Sequence, residues 1–325
     1  MSQNDTILIT GAAGFIASQM AKLLNQKGFK QLYLVDDFSR EDKKENFISL
    51  QYIELIDREH IQSFFERNIQ IDFVIHLGAR TDTTEMDYSI HEHLNLNYSK
   101  IMWEYCTKNN VPIIYASSAA TYGNGEFGYD DNHEVIEKLI PLNPYGVSKN
   151  EFDKFAIKET TTPPNWYGLK FFNVYGPNEN HKGRMASVVY HAFHQIKKTG
   201  SLKLFRSHNP NYQDGEQMRD FIYVFDLVNV IFWLMKEKPS SGIYNLGSGK
   251  AETFLELGNA VFKALELEPK IDFIDTPEDI REKYQYFTEA NMQKLIKSGY
   301  TDIFKNIEEG AIDYVKNYLS KSSSN

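Results

Sequence analysis

Apolar residues in this chain gather into short clustered runs separated by longer stretches with helical spacing. ILIT (7–10), LYLVD (32–36), QYIEL (51–55), FVIHL (73–77), PIIYAS (112–117) and YGLKFF (167–172) read as strands, and the stretches around 14–27, 58–67, 89–109 and 147–159 as helices between them. That alternation predicts a parallel, doubly wound α/β sheet. After Pro177 it weakens, and helices near 185–199, 226–236, 253–265 and 305–318 are mixed with short strands at IYNLG and IDFID. The pattern predicts a main domain over 1–176 and a smaller, interleaved α/β lobe over 177–325, with 221–250 returning to the first. The terminal KSSSN is expected to fray, and no internal repeat is evident.

Composition narrows the function classes. At 325 residues, 42% hydrophobic and 14% aromatic, the chain can bury a large core, as one big α/β unit or two intimately joined lobes. Thirty-five basic against 44 acidic side chains give a net charge of −9, which argues against a general nucleic-acid or membrane surface. An anionic substrate then needs a local basic pocket. Cys106 is the only cysteine, so no intrachain disulfide forms. The first strand starts within a few residues of Met1 and no apolar run is long enough to span a bilayer, so a cytoplasmic protein is expected.

Two clusters carry chemistry. ILIT runs directly into Gly11, Ala12, Ala13, Gly14, Phe15, Ile16 and Ala17 and then an amphipathic helix. In such a strand–turn–helix, backbone N–H groups and the helix dipole hold a pyrophosphate. The second strand ends on Asp36 and Asp37, placed to accept hydrogen bonds from adenosine ribose hydroxyls. The adjacent acids disfavour the extra phosphate of NADP. The second cluster is Tyr145 and Lys149, one helical turn apart in PYGVSK, following the Ser117–Ser118 pair. A tyrosine takes the proton of a substrate alcohol when its pKa falls toward neutrality, which a neighbouring ammonium favours. Ligands of doubly wound sheets bind beyond the carboxyl ends of the strands, where LGAR (77–80), SSAATYG (117–123) and FFNVYGP (171–177) are expected to emerge into one crevice. His181, His191, His194 and His208 lack metal-ligand spacing, so no metal is expected.

With these residues in view, nearly the whole chain resembles an extended short-chain dehydrogenase/reductase of the NAD-dependent epimerase/dehydratase type. GAAGFIA matches that family's GxxGFxG turn, HLGA its HxAA segment, SSAATYG its serine motif, YGVSK its YxxxK and RDFIYVFD its RDFxxVxD. Ala17 departs from the usual glycine, and its methyl group slightly limits helix-to-strand approach. ASSAATYGN, FFNVYGPNENHKGRMASV, KLFRSHNPNYQDGEQMRDFIYV and KYQYFTEA resemble the members that invert C6 of an ADP-linked heptose.

The resemblance implies catalytic roles for Ser118, Tyr145, Lys149 and, within HKGRMASV, Lys182. It implies cofactor contacts from Gly11, Gly14, Phe15, Ile16, Asp36, Asp37, Leu77, Gly78, Ala79, Arg80, Thr81, Asn95, Tyr145, Lys149, Val174 and Lys182. It also implies a substrate wall of Ser118, Asn173, Arg184, His191, Phe205, Arg206, Ser207, His208, Arg219 and Tyr284. Lys43 and Arg58 fall where such epimerases contact the NADP phosphate, and Arg40 adds a further charge, so NAD and NADP both stay open. The cofactor is expected to remain tightly bound, regenerated in each turnover. A homo-oligomer supplying activated heptose for lipopolysaccharide is implied as well. Three other readings compete: a UDP-hexose 4-epimerase, which has no need of HKGRMASV; a 4,6-dehydratase, whose usual acidic pair is replaced by Ala119 and Ala120; and a non-catalytic dinucleotide sensor. For Arg219, diphosphate binding competes with a salt bridge to Asp220 or Asp226.

Overall fold

The computed structural model describes residues 1–281 and 284–322. Packing divides the chain into two compact units. The first holds Met1–Phe171, Val228–Asn245 and Gln293–Tyr300, and the second holds Phe172–Leu227, Leu246–Met292 and the chain from Thr301 onward.

Six strands of the first unit are β1 (Ile7–Thr10), β2 (Leu32–Asp36), β3 (Glu54–Asp57), β4 (Phe73–His76), β5 (Ile113–Ser118) and β6 (Trp166–Phe171). The second unit contributes β7 (Asn173–Tyr175), β8 (Leu202–Phe205), β9 (Met218–Tyr223), β11 (Ala251–Thr253) and β12 (Ile271–Ile274), while β10 (Gly242–Leu246) returns to the first sheet. The seven-stranded sheet runs β10-β6-β5-β4-β1-β2-β3. Parallel registers such as Ile9↔Leu34, Ile9↔Ile75 and Ile114↔Tyr167 join its neighbours. Strands β1, β2, β4 and β6 are buried at every position, which is why their runs are apolar without alternation. The doubly wound architecture read from the sequence is the one observed.

Helix Phe15–Gln26, the continuous helical run from Tyr88 to Lys108 and helix Pro144–Lys158 lie close to their expected positions. The last starts sharply because Asn143 caps it, accepting from the Gly146 N–H at 2.8 Å, and Pro144 takes a first-turn position that needs no N–H. One strand differs. QYIEL was expected to pair, yet β3 begins at Glu54, because the Asn25 side chain holds Gln51 through both its N–H (2.7 Å) and its carbonyl (2.9 Å). Ladder pairing starts only when the Ile53 N–H reaches Leu32 at 2.8 Å.

In the second unit the expected helices form at Val188–Thr199, Val224–Glu237 and Phe254–Ala264, the second of them crossing into the first unit, and at Ile307–Tyr314. Two small sheets, β11-β9-β7 and β12-β8, accompany them. Four of their strands were not expected: β7, β8 and β11 are three or four residues long, and β9 carries the charged pair Arg219–Asp220. Of the terminal KSSSN, Ser322 ends a last helical turn and Ser323–Asn325 lie outside the described residues. Among the described residues no helix is long and apolar enough to cross a membrane.

One side of the main sheet is sealed by aromatic rings. Trp103 meets Tyr115, Phe152, Phe155 and Trp166 edge-on, at 5.2 Å from Trp166. Tyr115 passes so close to β6 that a Cβ on Gly168 would stand 2.3 Å from its hydroxyl oxygen. A Gly168→Ala protein is therefore expected to lose about 1–3 kcal/mol of stability through overpacking. Urea unfolding would show a lower midpoint at unchanged slope; a midpoint equal to the parent's would contradict this packing.

Candidate active site

The turn after β1 is built to bring backbone close to a ligand. Gly11 has φ +71°, and a Cβ there would stand 2.7 Å from the backbone of Gly78, so both turns must be bare. No side chain caps the twelve-residue helix that follows, whose N-cap is Gly14. Its first-turn backbone therefore suits an anionic group. Together these features fit a dinucleotide pyrophosphate.

Asp36 and its neighbours set the adenosine end. One Asp36 oxygen accepts the Ala13 N–H at 2.9 Å, and the other accepts the Asp37 N–H at 2.7 Å and the Lys43 ammonium at 3.1 Å. Its carboxylate thus braces the glycine turn. Asp37 is held below the usual carboxylate range, first by the Ser39 hydroxyl and N–H and then by the charges of Arg58 and Lys43. Arg40 instead turns to Asp42, raising its own pKa through that bond. Lys43 and Arg58 therefore sit with the acids, and Arg40 is paired outward.

The next turn is organised by His76, buried at the end of β4. Its ring lies 2.6 Å from Thr10 Oγ1 and 2.9 Å from Ser99 Oγ, and Thr10 Oγ1 also accepts the Gly78 N–H at 3.1 Å. Burial, then the Lys149 charge, pushes His76 down to about 3, so it is neutral. Leu77, Gly78 and Ala79 are half-buried, and Arg80 and Thr81 are surface residues on or next to this turn. Asn95 accepts the Arg80 N–H at 2.7 Å and donates to the Arg80 carbonyl and to Ser148 Oγ, tying the turn to the Tyr145 helix.

Ser118 ends β5. Its hydroxyl accepts the Ala120 N–H at 3.1 Å and is hydrogen-bonded to Tyr145. Lys149 is buried and donates to the Ala116 carbonyl at 2.8 Å. Burial raises Tyr145, the direction opposite to the one expected, with the Ser118 bond pulling the other way. Burial acts on Lys149 too, pushing it down to about 8 against the opposing charge of Asp153. The first unit thus brings together Ser118, Tyr145 and Lys149 with the glycine turns and Asn95.

The second unit gathers most of the remaining residues. Asn173 and Val174 lie on β7, paired with β9 through Val174↔Ile222. Lys182 and Arg184 lie in the turn Asn180–Met185, and the His191 ring nitrogen is 3.4 Å from the Arg184 carbonyl. Lys182 is half-buried, and desolvation lowers its amine against the charge of Glu179. Glu179 is fully buried and accepts from the Gly176 N–H at 3.3 Å, the Ser187 hydroxyl at 2.7 Å and the Ser187 N–H. Sequence reading overlooked Glu179 because NENHKGR has the look of a solvated loop.

Phe205 ends β8 and Arg206, Ser207 and His208 follow it, with the Phe205 ring edge-on to Tyr284 at 6.1 Å. Arg206 is exposed, donating to the Phe273 carbonyl, and the His208 N–H donates to the Tyr286 hydroxyl at 3.1 Å. Arg219 donates to the Met218 and Gln285 carbonyls and lies over the rings of Phe254 and Tyr284, at 5.6 and 5.4 Å. Asp220 is occupied by Ser248, Gly249 and Ala290, and Asp226 by Lys305. Lys283 of KYQYF lies outside the described residues. No group of three or more His, Cys, Asp or Glu that could hold a metal occurs among the described residues.

Residues 7–247 match the model of the NAD dependent epimerase/dehydratase family. An ADP-L-glycero-D-manno-heptose-6-epimerase of Fusobacterium nucleatum is 45% identical, covering 98% of this chain and 99% of that protein. The crystal structure of the Helicobacter pylori ADP-L-glycero-D-manno-heptose-6-epimerase superposes with a TM-score of 0.81 at 28% identity, covering 97% of this chain and 96% of that one. A UDP-N-acetylglucosamine 4-epimerase from Methanobrevibacter ruminantium reaches the same TM-score, 0.81, at 22% identity over 98% of this chain and all of that one, a likeness of fold alone.

The neutral His76 ties stability to pH. Its folded pKa lies below its unfolded value, so the unfolded chain binds the extra proton, and stability is lost as pH falls below about 6.5, at up to about 1.4 kcal/mol per unit. Urea midpoints at pH 7 and pH 5 should therefore differ more for the parent than for His76→Gln. An equal pH response in the two proteins would show that His76 is not held neutral.

Proposed function

The chain belongs to the NAD dependent epimerase/dehydratase family, and we propose that this nucleotide-sugar epimerase inverts C6 of ADP-D-glycero-D-manno-heptose through a transient 6-ketone. The observation that carries the substrate assignment is the 45% identity to the Fusobacterium 6-epimerase across 98% of the chain, which includes HKGRMASV. The equal structural likeness to a 4-epimerase does not discriminate, since the two reactions share a scaffold.

When bound, the dinucleotide supplies a nicotinamide that accepts the C6 hydride and returns it. Tyr145, as the tyrosinate that the positive charge of Lys149 stabilises, takes the proton of the C6 hydroxyl and becomes the phenol, while Ser118 holds that oxygen through its own hydroxyl. Because C6 lies outside the sugar ring, rotation about C5–C6 presents the opposite face while the nucleotide end stays held. The rotation displaces the oxygen, so a second proton donor is needed, and Lys182 takes that role. Its desolvated amine and the neighbouring Glu179 support the assignment. Phe205, Arg206, Ser207, His208, Arg219 and Tyr284 form the wall for the nucleotide diphosphate, with Asn173, Arg184 and His191. At the adenosine end, Asp36 and Asp37 favour NAD, while Lys43 and Arg58 supply charge for the phosphate of NADP. Mass analysis of the dinucleotide released on denaturation distinguishes them. The enzyme works in the cytoplasm as a homo-oligomer.

Purified protein incubated with ADP-D-glycero-D-manno-heptose, without added cofactor, should invert C6, followed by proton NMR. Tyr145→Phe and Lys182→Met should each lower turnover by about 10²-fold or more with the dinucleotide retained. Unchanged rates in both variants would sink the two-donor scheme, and conversion of UDP-hexoses alone would replace the substrate assignment with 4-epimerisation.

A further inference from the structure

Behind Ser118, Tyr145 and Lys149 lies an ion pair that the reaction itself does not use. Lys170 on β6 and Asp153 on the Tyr145 helix meet at 2.7 Å, neither side chain having any exposed surface. The Asp153 carboxylate also accepts from Ser117 Oγ at 2.6 Å and the Tyr115 hydroxyl at 3.1 Å. The Lys170 ammonium donates to Thr121 Oγ1 at 2.6 Å and lies 5.0 Å from the Tyr122 ring centre. Thr121 in turn donates to the Ser118 carbonyl at 2.8 Å. Hydrogen bonds therefore run without a break from the Tyr145 helix through Lys170 to the main chain of Ser118, and a second path reaches its neighbour Ser117.

Asp153 also stands one helical turn beyond Lys149, on the same face. Asp153 on its own helix and His76 on β4 are the charged and titratable groups that act on the Lys149 amine, and Asp153 is in turn faced by Tyr145, Tyr115 on β5, Lys170 on β6, and Tyr122 and His133 beyond the end of β5. His76 is neutral, the tyrosines are raised far above neutrality, and His133 is pushed down to about 4 by burial and the charge of Lys294. Asp153 is the carboxylate in this group. A buried ammonium whose hydrogen bond goes to one carbonyl is costly to keep charged, and an anion nearby offsets that cost.

We propose that Asp153 and Lys170 are positioning residues for this site: the pair locks the Ser117–Tyr122 segment to the Tyr145 helix, and the Asp153 carboxylate keeps Lys149 an ammonium beside Tyr145. Lys170 acts through Asp153, holding its carboxylate in place at 2.7 Å. The proposal rests on the reading of Tyr145 and Lys149 as the proton-transfer pair.

Two readouts test it, one independent of substrate. In protein carrying ¹³Cε-labelled lysine, the Lys149 signal, assigned by its loss in Lys149→Met, reports the amine titration. Asp153→Asn should move that midpoint down by about one pH unit or more. The alkaline limb of the epimerisation rate profile should move down with it, while Lys170→Arg, which preserves the charge, stays near the parent. If Asp153→Asn does not fold, the double variant Asp153→Asn/Lys170→Met removes both buried charges together and should show a smaller fall in the same direction. An unmoved Lys149 midpoint in a folded variant overturns the proposal. A parent protein that does not invert the heptose refutes the functional assignment instead, and the lysine titration still decides the charge role of Asp153.

Discussion

A carboxylate and an ammonium that water cannot reach must keep each other, and the Asp153–Lys170 pair imposes that condition on three elements at once. Removing one partner of such a pair leaves an uncompensated buried charge, at a cost of about 3–5 kcal/mol. Strands β5 and β6 and the Tyr145 helix are therefore not at liberty to slide past one another, because a shift of one residue would separate the charges. Apolar packing around Trp103 supplies bulk burial, which tolerates many arrangements. The polar centre selects one of them, and Ser118, Tyr145 and Lys149 inherit their register from it.

A different constraint shapes the glycine turns, where what matters is the lack of side chains. Gly11 approaches Gly78 until it has no room for a methyl group, and Thr10 and His76 pin the two strands that deliver them. Asp36 braces the same turn from β2 through Ala13. The glycine-turn end of the first unit is thus fixed by neighbours that satisfy each other's hydrogen bonds, while the first turn of the following helix carries no side-chain cap.

Much of this was legible in the sequence where a function depends on spacing. The strand–glycine–helix succession, the Tyr145–Lys149 interval and the run SSAATYG stand at fixed intervals that local geometry converts directly into shared faces, and the long buried strands announce themselves by unbroken apolarity. Legibility failed where a distant partner overrides local preference. QYIEL reads as a strand, but Asn25 takes Gln51 out of the ladder. Strands of three or four residues such as AET and LKLF carry too little pattern to be told from loops. Asp153 in NEFDKF and Glu179 in NENHKGR look solvated, because nothing local reveals that a long-range partner has drawn them inside. Lys170 was the exception that offered a signal: a lysine within the apolar run YGLKFF asks for a buried counter-charge.

The return of the chain to its first sheet also bears on how the protein is made. Six strands of that sheet are complete once the ribosome has passed Phe171, but β10, which covers the outer edge of β6, is not synthesised until residues 242–246. At about 5–20 residues per second that interval lasts several seconds. During it the nascent sheet presents an apolar edge with open backbone groups, the kind of surface on which unrelated chains pair. The order of synthesis thus makes the main sheet dependent on a segment that arrives late.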